Sequence, residues 1–106
     1  MPAYWLARAR VNDPAEYKKY TDRVPAILAR YGARVLTRGG RYQTLEGPEK
    51  FNRFVVIEFP SLEQGVACFN SKEYQEAAAL FRRRNKAGEN ELVMVEAGEG
   101  QPVQAR

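Results

Sequence analysis

Apolar and polar residues alternate along several stretches of the chain, and this alternation predicts β-strands. In residues 3–11 (AYWLARARV) every odd-numbered residue is apolar, while the even-numbered positions include two arginines. A period of two is typical of a strand that places one face in a core. Residues 34–38, 53–59 and 91–97 predict further strands, and the signal is strongest in 53–59 (RFVVIEF).

Spacings of three and four residues predict helices between these strands. Asp13 and Pro14 suit an N-cap and a first helical position, and one apolar stripe then continues to Gly32, a typical helix-ending residue. Pro25 predicts a kink or break near residues 21–25. Ser61 begins a second predicted helix, 61–70, with Gln64 completing a capping box, and Ser71 caps a further helical segment, 72–85.

The resulting order, β-α-β-β-α-β, predicts an α+β fold of the ferredoxin-like type, an antiparallel sheet with helices on one face. We expect one domain over residues 1–97 and a flexible tail over 98–106, which is polar and contains glycine and proline. Residues 53–59 and 92–95 are apolar on both faces, although the helices can cover only one. The chain offers nothing else to cover the second face, so we expect a homodimer that pairs sheet to sheet.

Two adjacent glycines, Gly39 and Gly40, lie between strand-like runs at residues 34–38 and 41–46. A phosphate-binding loop would need a lysine and a hydroxyl residue opening a helix, which do not follow here. Two interpretations remain open, a two-residue hairpin turn and a bend in one long strand. We favour the bend, because the fold is complete without an additional strand.

The amino-acid composition limits which kinds of catalytic and metal sites the chain could form. The chain has 106 residues, a net charge of +4, one cysteine and no histidine. Histidine-dependent nucleophiles and histidine-ligated zinc or haem are therefore excluded, as is an intramolecular disulfide, and we expect no metal and no cofactor. Arg82–Arg84 suits the last turn of a helix, where cations offset the helix dipole, better than contact with nucleic acid. No apolar run is long enough for a membrane span and no signal-peptide pattern appears, so we expect a cytoplasmic protein.

Several segments resemble, in order, the family called domain of unknown function 1330. They are DPAEYKKY, the RGG of residues 38–40, the LEG of 45–47, RFVVIEFPSLEQ and SKEYQEAA, and the resemblance covers roughly residues 2–97. It implies a ferredoxin-like subunit that pairs into a dimeric α+β barrel. It also implies a fold similar to that of cofactor-free monooxygenases, haem-degrading enzymes and ligand-binding regulatory domains, without assigning an activity.

The candidate site residues are polar groups next to strands. Glu58 shares a strand face with Phe54 and Val56, where it is either a general base in a pocket or the partner of Arg8, Arg38 or Arg53 in an ion pair. Arg38 and Arg53 are candidate anchors for an anion.

The backbone at Gly39 and Gly40 could take part in binding beside Arg38, and Tyr74 could present its hydroxyl to a cavity, although core packing explains Tyr74 as well. Two functions follow. One is a cofactor-independent enzyme, monooxygenase-like or isomerase-like, that acts on a small organic acid or an aromatic compound. The other is a non-catalytic dimer that binds a small ligand or has a structural role.

Overall fold

The computed structural model of the chain describes residues 1–98. Its strands are β1 (Ala3–Val11), β2 (Arg34–Arg38), β3 (Arg53–Phe59) and β4 (Gly88–Glu96), and its helices are α1 (Pro14–Arg30), α2 (Leu62–Asn70), α3 (Lys72–Ala77) and α4 (Ala79–Arg83). The sheet has the order β2-β3-β1-β4, and all three pairs are antiparallel. The predicted ferredoxin-like α+β fold is confirmed. Residues 99–106 of the predicted tail lie outside the described residues.

The helix ends follow the predicted capping chemistry. The Asp13 side chain accepts a hydrogen bond from the Glu16 amide, Ser61 from Gln64 and Ser71 from Tyr74, at 3.1, 3.1 and 3.2 Å. Gly32 adopts a φ of 71° after α1, which is a conformation that costs glycine little. The Gly32 and Ala33 amides bond to carbonyls of the last turn, so α1 ends where the sequence indicated.

Two predictions about the helices need correction. Helix α1 continues through Pro25 without a break, because Pro25 lies on the exposed side, where water can reach the carbonyl that loses its amide partner. The predicted helical segment 72–85 is divided at Ala78, whose φ of −124° and ψ of −63° separate α3 from α4. Strand β4 also begins at Gly88 rather than at residue 91, because its first residues pair with the end of β1.

The double glycine forms neither the predicted bend nor the hairpin. Strand β2 ends at Arg38, and Gly39 adopts a φ of 70° at the turn that follows. Residues 41–46 pair with no described strand and have no regular secondary structure. They pack through side chains instead, with the Tyr42 ring 4.8 Å from the Phe54 ring of β3, and the outer edge of β2 has no partner among the described strands.

The two faces of the sheet have different surroundings. Cross-strand register places Trp5, Ile57 and Met94 in one row, and Leu6, Val56 and Val93 in the adjacent row on the opposite face. The first row lies under the helices, where Trp5 stacks on Phe59 with ring centroids 5.7 Å apart. The second row belongs to what we call the open face, which no described helix covers.

The described helices give no indication of a membrane span, since none of them is both long and apolar enough to cross one.

Candidate functional site

A cleft between α1 and the sheet is the candidate site. We call it the α1–sheet cleft, and its volume is about 350 Å³ with its mouth included. That figure includes open solvent, and the space inside the cleft that a water-sized sphere can occupy is only about 30 Å³. This is well below the range of about 300–1,000 Å³ found for small-molecule pockets. Its lining combines apolar side chains with two tyrosines and two arginines: Tyr17, Tyr20, Thr21, Val24, Leu28, Val35, Arg38, Arg53, Val55 and Ile57.

Two of the residues predicted from the sequence, Arg38 and Arg53, line this cleft. Arg38 is the last residue of β2 and Arg53 the first of β3, so both lie where these neighbouring antiparallel strands meet the loop between them. Gly39 and Gly40, also predicted, are exposed and border a surface depression outside the cleft. A β-carbon placed on Gly39 would lie 3.5 Å from the Arg53 guanidinium, so the Gly39 backbone lies near that side chain.

The two cleft arginines have no carboxylate partner among residues 1–98. No aspartate or glutamate lines the cleft, and the salt bridges of the described chain involve other arginines. The guanidinium carbon of Arg53 lies 5.7 Å from the centre of the Tyr17 ring, within the range of a cation–π contact. The cleft thus combines an apolar wall with uncompensated positive charge.

Tyrosines continue from Arg53 into the protein as a row that ends at a second arginine. The rings of Tyr17 and Tyr20 are 5.3 Å apart and those of Tyr20 and Tyr74 6.0 Å apart, both pairs in edge-to-face geometry. The Tyr20 and Tyr74 hydroxyl oxygens are 2.8 Å apart, and Arg82 Nη2 donates to the Tyr74 hydroxyl at 3.2 Å. We call these five residues the tyrosine–arginine row.

Local packing fixes Tyr17 at the start of this row. A β-carbon on Gly88 would overlap the Tyr17 ring, so the glycine is required for the ring to lie against β4. The Asn90 side-chain amide donates to the Tyr17 hydroxyl at 3.1 Å. Tyr17 is therefore held by the packing of its ring on Gly88 and by the hydrogen bond from Asn90 to its hydroxyl, and the Arg53 guanidinium lies over its ring.

Burial controls the protonation of the row. Burial raises the pKa of Tyr20 well above its usual value, and Tyr74 adds to the shift. Burial also raises the pKa of Tyr17, which the Asn90 hydrogen bond only partly offsets. Both phenols are consequently neutral near pH 7. Burial acts to lower the pKa of Arg82, but Tyr74 and Tyr20 outweigh it and raise the pKa, so the guanidinium remains charged.

Sequence reasoning missed Arg82. The run Arg82–Arg84 suggested surface cations at a helix end, and Arg83 and Arg84 are indeed exposed, whereas Arg82 is only 6% exposed. Helical spacing could have indicated the burial of Arg82, because it follows Ala78 and Ala79 by four and three residues and both alanines are fully buried. Tyr74 was a candidate ligand-binding residue, but its side chain is fully buried and does not line the cleft.

Glu58 lies on the open face, away from the cleft. Its carboxylate forms a salt bridge with Arg34 at 3.1 Å and accepts a hydrogen bond from the Tyr4 hydroxyl at 3.3 Å. Of the two interpretations, the geometry is that of an ion pair. The expected partners Arg8, Arg38 and Arg53 were wrong, because the β2–β3 register places Arg34 directly opposite Glu58.

Comparison with known proteins identifies the family. The sequence profile of the family described as domain of unknown function (DUF1330) matches residues 2–98. The chain belongs to this family. No curated protein matches the sequence.

Solved structures similar to this DUF1330 chain share its fold. A protein of unknown function from Rhodopseudomonas palustris, RPA0582, is 21% identical with a TM-score of 0.68, over 98% of this chain and 84% of that one. SnoaB, a cofactor-independent oxygenase from Streptomyces nogalater, is 19% identical with a TM-score of 0.58, over 95% and 97%. A de novo designed protein with a ferredoxin fold is 11% identical with a TM-score of 0.53, over 100% and 96%. At these identities the likeness concerns the fold.

The chemistry available in the cleft of this DUF1330 chain follows from its lining. Guanidinium groups hold carboxylates or phenolates through charge-assisted hydrogen bonds, and the flat face of a tyrosine ring supports a planar ligand. The neutral phenols donate hydrogen bonds rather than accept protons. Among residues 1–98 the lining offers cationic and phenolic hydrogen-bond donors and no carboxylate that would act as a base.

Proposed function

We propose that the chain binds a small organic anion at the mouth of the α1–sheet cleft. The observation that supports this most directly is the pair of arginines, Arg38 and Arg53, which line the cleft without a carboxylate partner among the described residues. An anionic ligand would supply the missing negative charge. Val55, which is half-buried in the lining, would cover part of this ligand and exclude water, which strengthens the electrostatic contact.

Benzoate tests this proposal by isothermal titration calorimetry, with benzamide as a neutral ligand of matched shape. We expect benzoate to bind and benzamide to bind much more weakly. Arg53→Gln should weaken benzoate binding about tenfold or more, since a hydrogen bond to a charged group contributes about 1.5–3 kcal/mol.

Arg34→Gln is the matched control for charge. Like Arg53→Gln it removes one positive charge, but Arg34 belongs to β2, lies on the open face and pairs with Glu58. We expect it to leave benzoate binding unchanged. Equal binding of benzoate and benzamide, or equal effects of the two substitutions, would show that the cleft does not select an anion through Arg53.

A reaction is the second part of the proposal. Oxygenation without a cofactor requires a substrate anion rich enough in electrons to react with O₂ itself, so the protein need only bind and stabilise that anion. The uncompensated guanidinium groups of the cleft suit this task, and the fold is shared with an oxygenase of this kind, SnoaB. The alternative is a binding module without catalysis.

Oxygen consumption separates the two alternatives. With 2,5-dihydroxybenzoate, an electron-rich monocyclic aromatic acid, an oxygenase should consume O₂ faster than the same solution without protein, and Arg53→Gln should remove the difference. Uptake equal to the protein-free rate, together with confirmed benzoate binding, would favour the binding module.

We also propose that the open face is covered by a second copy of the chain. Its apolar centre includes Leu6, Val56 and Val93, of which Leu6 is 38% and Val93 56% exposed. Two of its charged pairs, Arg8–Glu91 and Arg34–Glu58, already form salt bridges across the strands. A copy related by a two-fold axis would therefore bury apolar area beside charges that are already paired.

Sedimentation velocity tests this pairing with two matched leucines. Leu6→Glu on the open face should convert a dimer into a monomer. Leu80→Glu on α4, where leucine is 40% exposed, should leave the dimer intact. A wild-type monomer at high concentration, or dissociation by Leu80→Glu alone, would contradict pairing through the open face.

A further inference from the structure

The α1–sheet cleft has a mouth and a narrow interior that differ in burial and charge. Three apolar side chains of its lining, Val24, Leu28 and Ile57, are only 8%, 3% and 3% exposed. Arg38 is exposed and Arg53 is half-buried, so the two cations lie at the mouth. Behind the positive mouth, the cleft therefore continues into an apolar interior.

The interior has room for a very small molecule. A water-sized sphere can occupy about 30 Å³ of the cleft, and about 10–15 Å³ is enough to hold one water. An aromatic ring does not fit into this space, whereas a water molecule or a diatomic gas does. The chemistry of the lining distinguishes between these two occupants.

The hydroxyl groups of the lining are engaged with partners outside the cleft. The Asn90 side-chain amide donates to Tyr17 at 3.1 Å, Thr21 donates to the Lys18 carbonyl at 3.2 Å, and the Tyr20 and Tyr74 hydroxyl oxygens are 2.8 Å apart. A buried water typically makes about three hydrogen bonds, whereas apolar cavities stay dry and bind small apolar molecules. The interior therefore favours an apolar diatomic molecule over water.

We propose that the interior of the α1–sheet cleft binds O₂, next to the anion held at its mouth. O₂ is apolar, is close to water in size and is the co-reactant that oxygenation without a cofactor consumes. The proposal rests on the proposed function, because the anion at Arg38 and Arg53 is the molecule that O₂ would meet. The cleft then has two adjacent subsites, a cationic mouth for the organic anion and an apolar interior for O₂.

Methyl NMR spectra recorded under N₂ and under O₂ pressure test the interior directly, because O₂ is paramagnetic and increases the relaxation rates of nearby nuclei. We expect a severalfold larger increase at the methyl groups of Val24, Leu28 and Ile57 than at methyl groups fully buried elsewhere, those of Ala3 and Ala78. An equal increase in both sets would reflect the general solubility of O₂ in the protein and would overturn the proposal.

A substitution that fills the interior provides the second test. Val24→Leu adds one methylene group beside it and should reduce the increase at Leu28 and Ile57. Val66→Leu is the matched control, because Val66 is 42% exposed on α2 and lies outside the cleft. An undiminished increase in folded Val24→Leu would contradict an O₂ site in the interior. Thermal unfolding shows whether both variants fold, and the wild-type comparison of methyl groups carries the test if Val24→Leu does not.

Water is the alternative occupant. A nuclear Overhauser effect from a long-lived water to the Leu28 and Ile57 methyl groups would place water in the interior and overturn the proposal.

Benzoate separates this inference from the proposed function. With benzoate bound, the O₂ effect at the interior methyl groups should persist. If benzoate removes the effect, the organic ligand fills the interior, and the O₂ site is overturned while the anion site stands. If benzoate does not bind but the O₂ effect is present, the proposed anion site fails while the O₂ site stands.

Discussion

The two faces of the sheet are formed by the same strands but differ in what covers them. On the helix-covered face, Trp5 and Phe59 are 2% and 0% exposed, and Trp5 packs against aromatic side chains of the helices. On the open face, Leu6 of β1, next to Trp5, and Val93 of β4, next to Met94, remain exposed. Alternation within a strand thus produces two apolar surfaces, and the helices of one chain complete only the first.

The arginines of the two faces differ in the same way. On the open face, Arg8 and Arg34 each pair with a glutamate, at 2.9 and 3.1 Å. On the helix-covered side, Arg53 and Arg82 contact tyrosines instead. Neutralised charge suits a surface that another protein copy covers, whereas uncompensated charge beside a cleft suits an anionic ligand. This contrast is the reason why we propose association through one face and binding at the other.

The largest expected effect that tests this difference between the faces comes from two phenylalanines of β3 that point to opposite faces. Phe59→Ala removes a fully buried side chain from the helix-covered face and should lower the free energy of unfolding by about 3–5 kcal/mol at any protein concentration. Phe54→Ala, on the open face, should cost less in dilute solution and more as concentration rises, because Phe54, half-buried beside Tyr42 in one chain, would be fully buried only in the dimer.

Urea unfolding at two protein concentrations measures both effects. The expected pattern is a midpoint that depends on concentration in the wild type and much less in Phe54→Ala. Equal losses for the two alanine variants, with no dependence on concentration, would mean that the two faces do not differ as proposed.

How much of this division could be predicted from the sequence depends on the range of the interactions. Local signals placed Asp13, Ser61 and Ser71 as caps, and the period of two assigned the faces of β1 and β3 correctly. The partner of Glu58 and the burial of Arg82 depend on strand register and on packing between helices, which a single sequence does not specify. Residues 41–46 were misread as a strand because alternation cannot show whether a pairing partner exists.

A smaller effect should appear at high pH, from Cys68, the buried cysteine of α2. Burial raises the pKa of the Cys68 thiol from 9.0 to about 11, so folding favours its protonated form. The stability from this group is fully present below about pH 9 and is lost as the pH rises toward 11. A shift of two units corresponds to about 2.7 kcal/mol.

Comparing wild type with Cys68→Ala isolates this contribution, because the alkaline titration of Tyr17 and Tyr20 is common to both. Unfolding free energies from urea titrations at pH 7.5, 9 and 10.5 should fall more steeply in the wild type. Parallel curves would show that the thiol ionises with little cost and that the helix-covered side is more accessible to water than its packing indicates.

The smallest effect on stability is expected for Glu58→Gln. This variant also tests directly which face of the sheet contains the binding site. Arg34 and Glu58 are 73% and 27% exposed at their side chains, so solvent screens their salt bridge, and Glu58→Gln should cost about 0.2–1 kcal/mol. Its benzoate affinity should equal that of the wild type, whereas Arg53→Gln, five residues earlier on the opposite face of β3, should lose affinity with the fold intact. If Glu58→Gln instead abolished binding or oxygen uptake, the open face would contain the site, and Glu58 would have the role of a base that its sequence position first suggested.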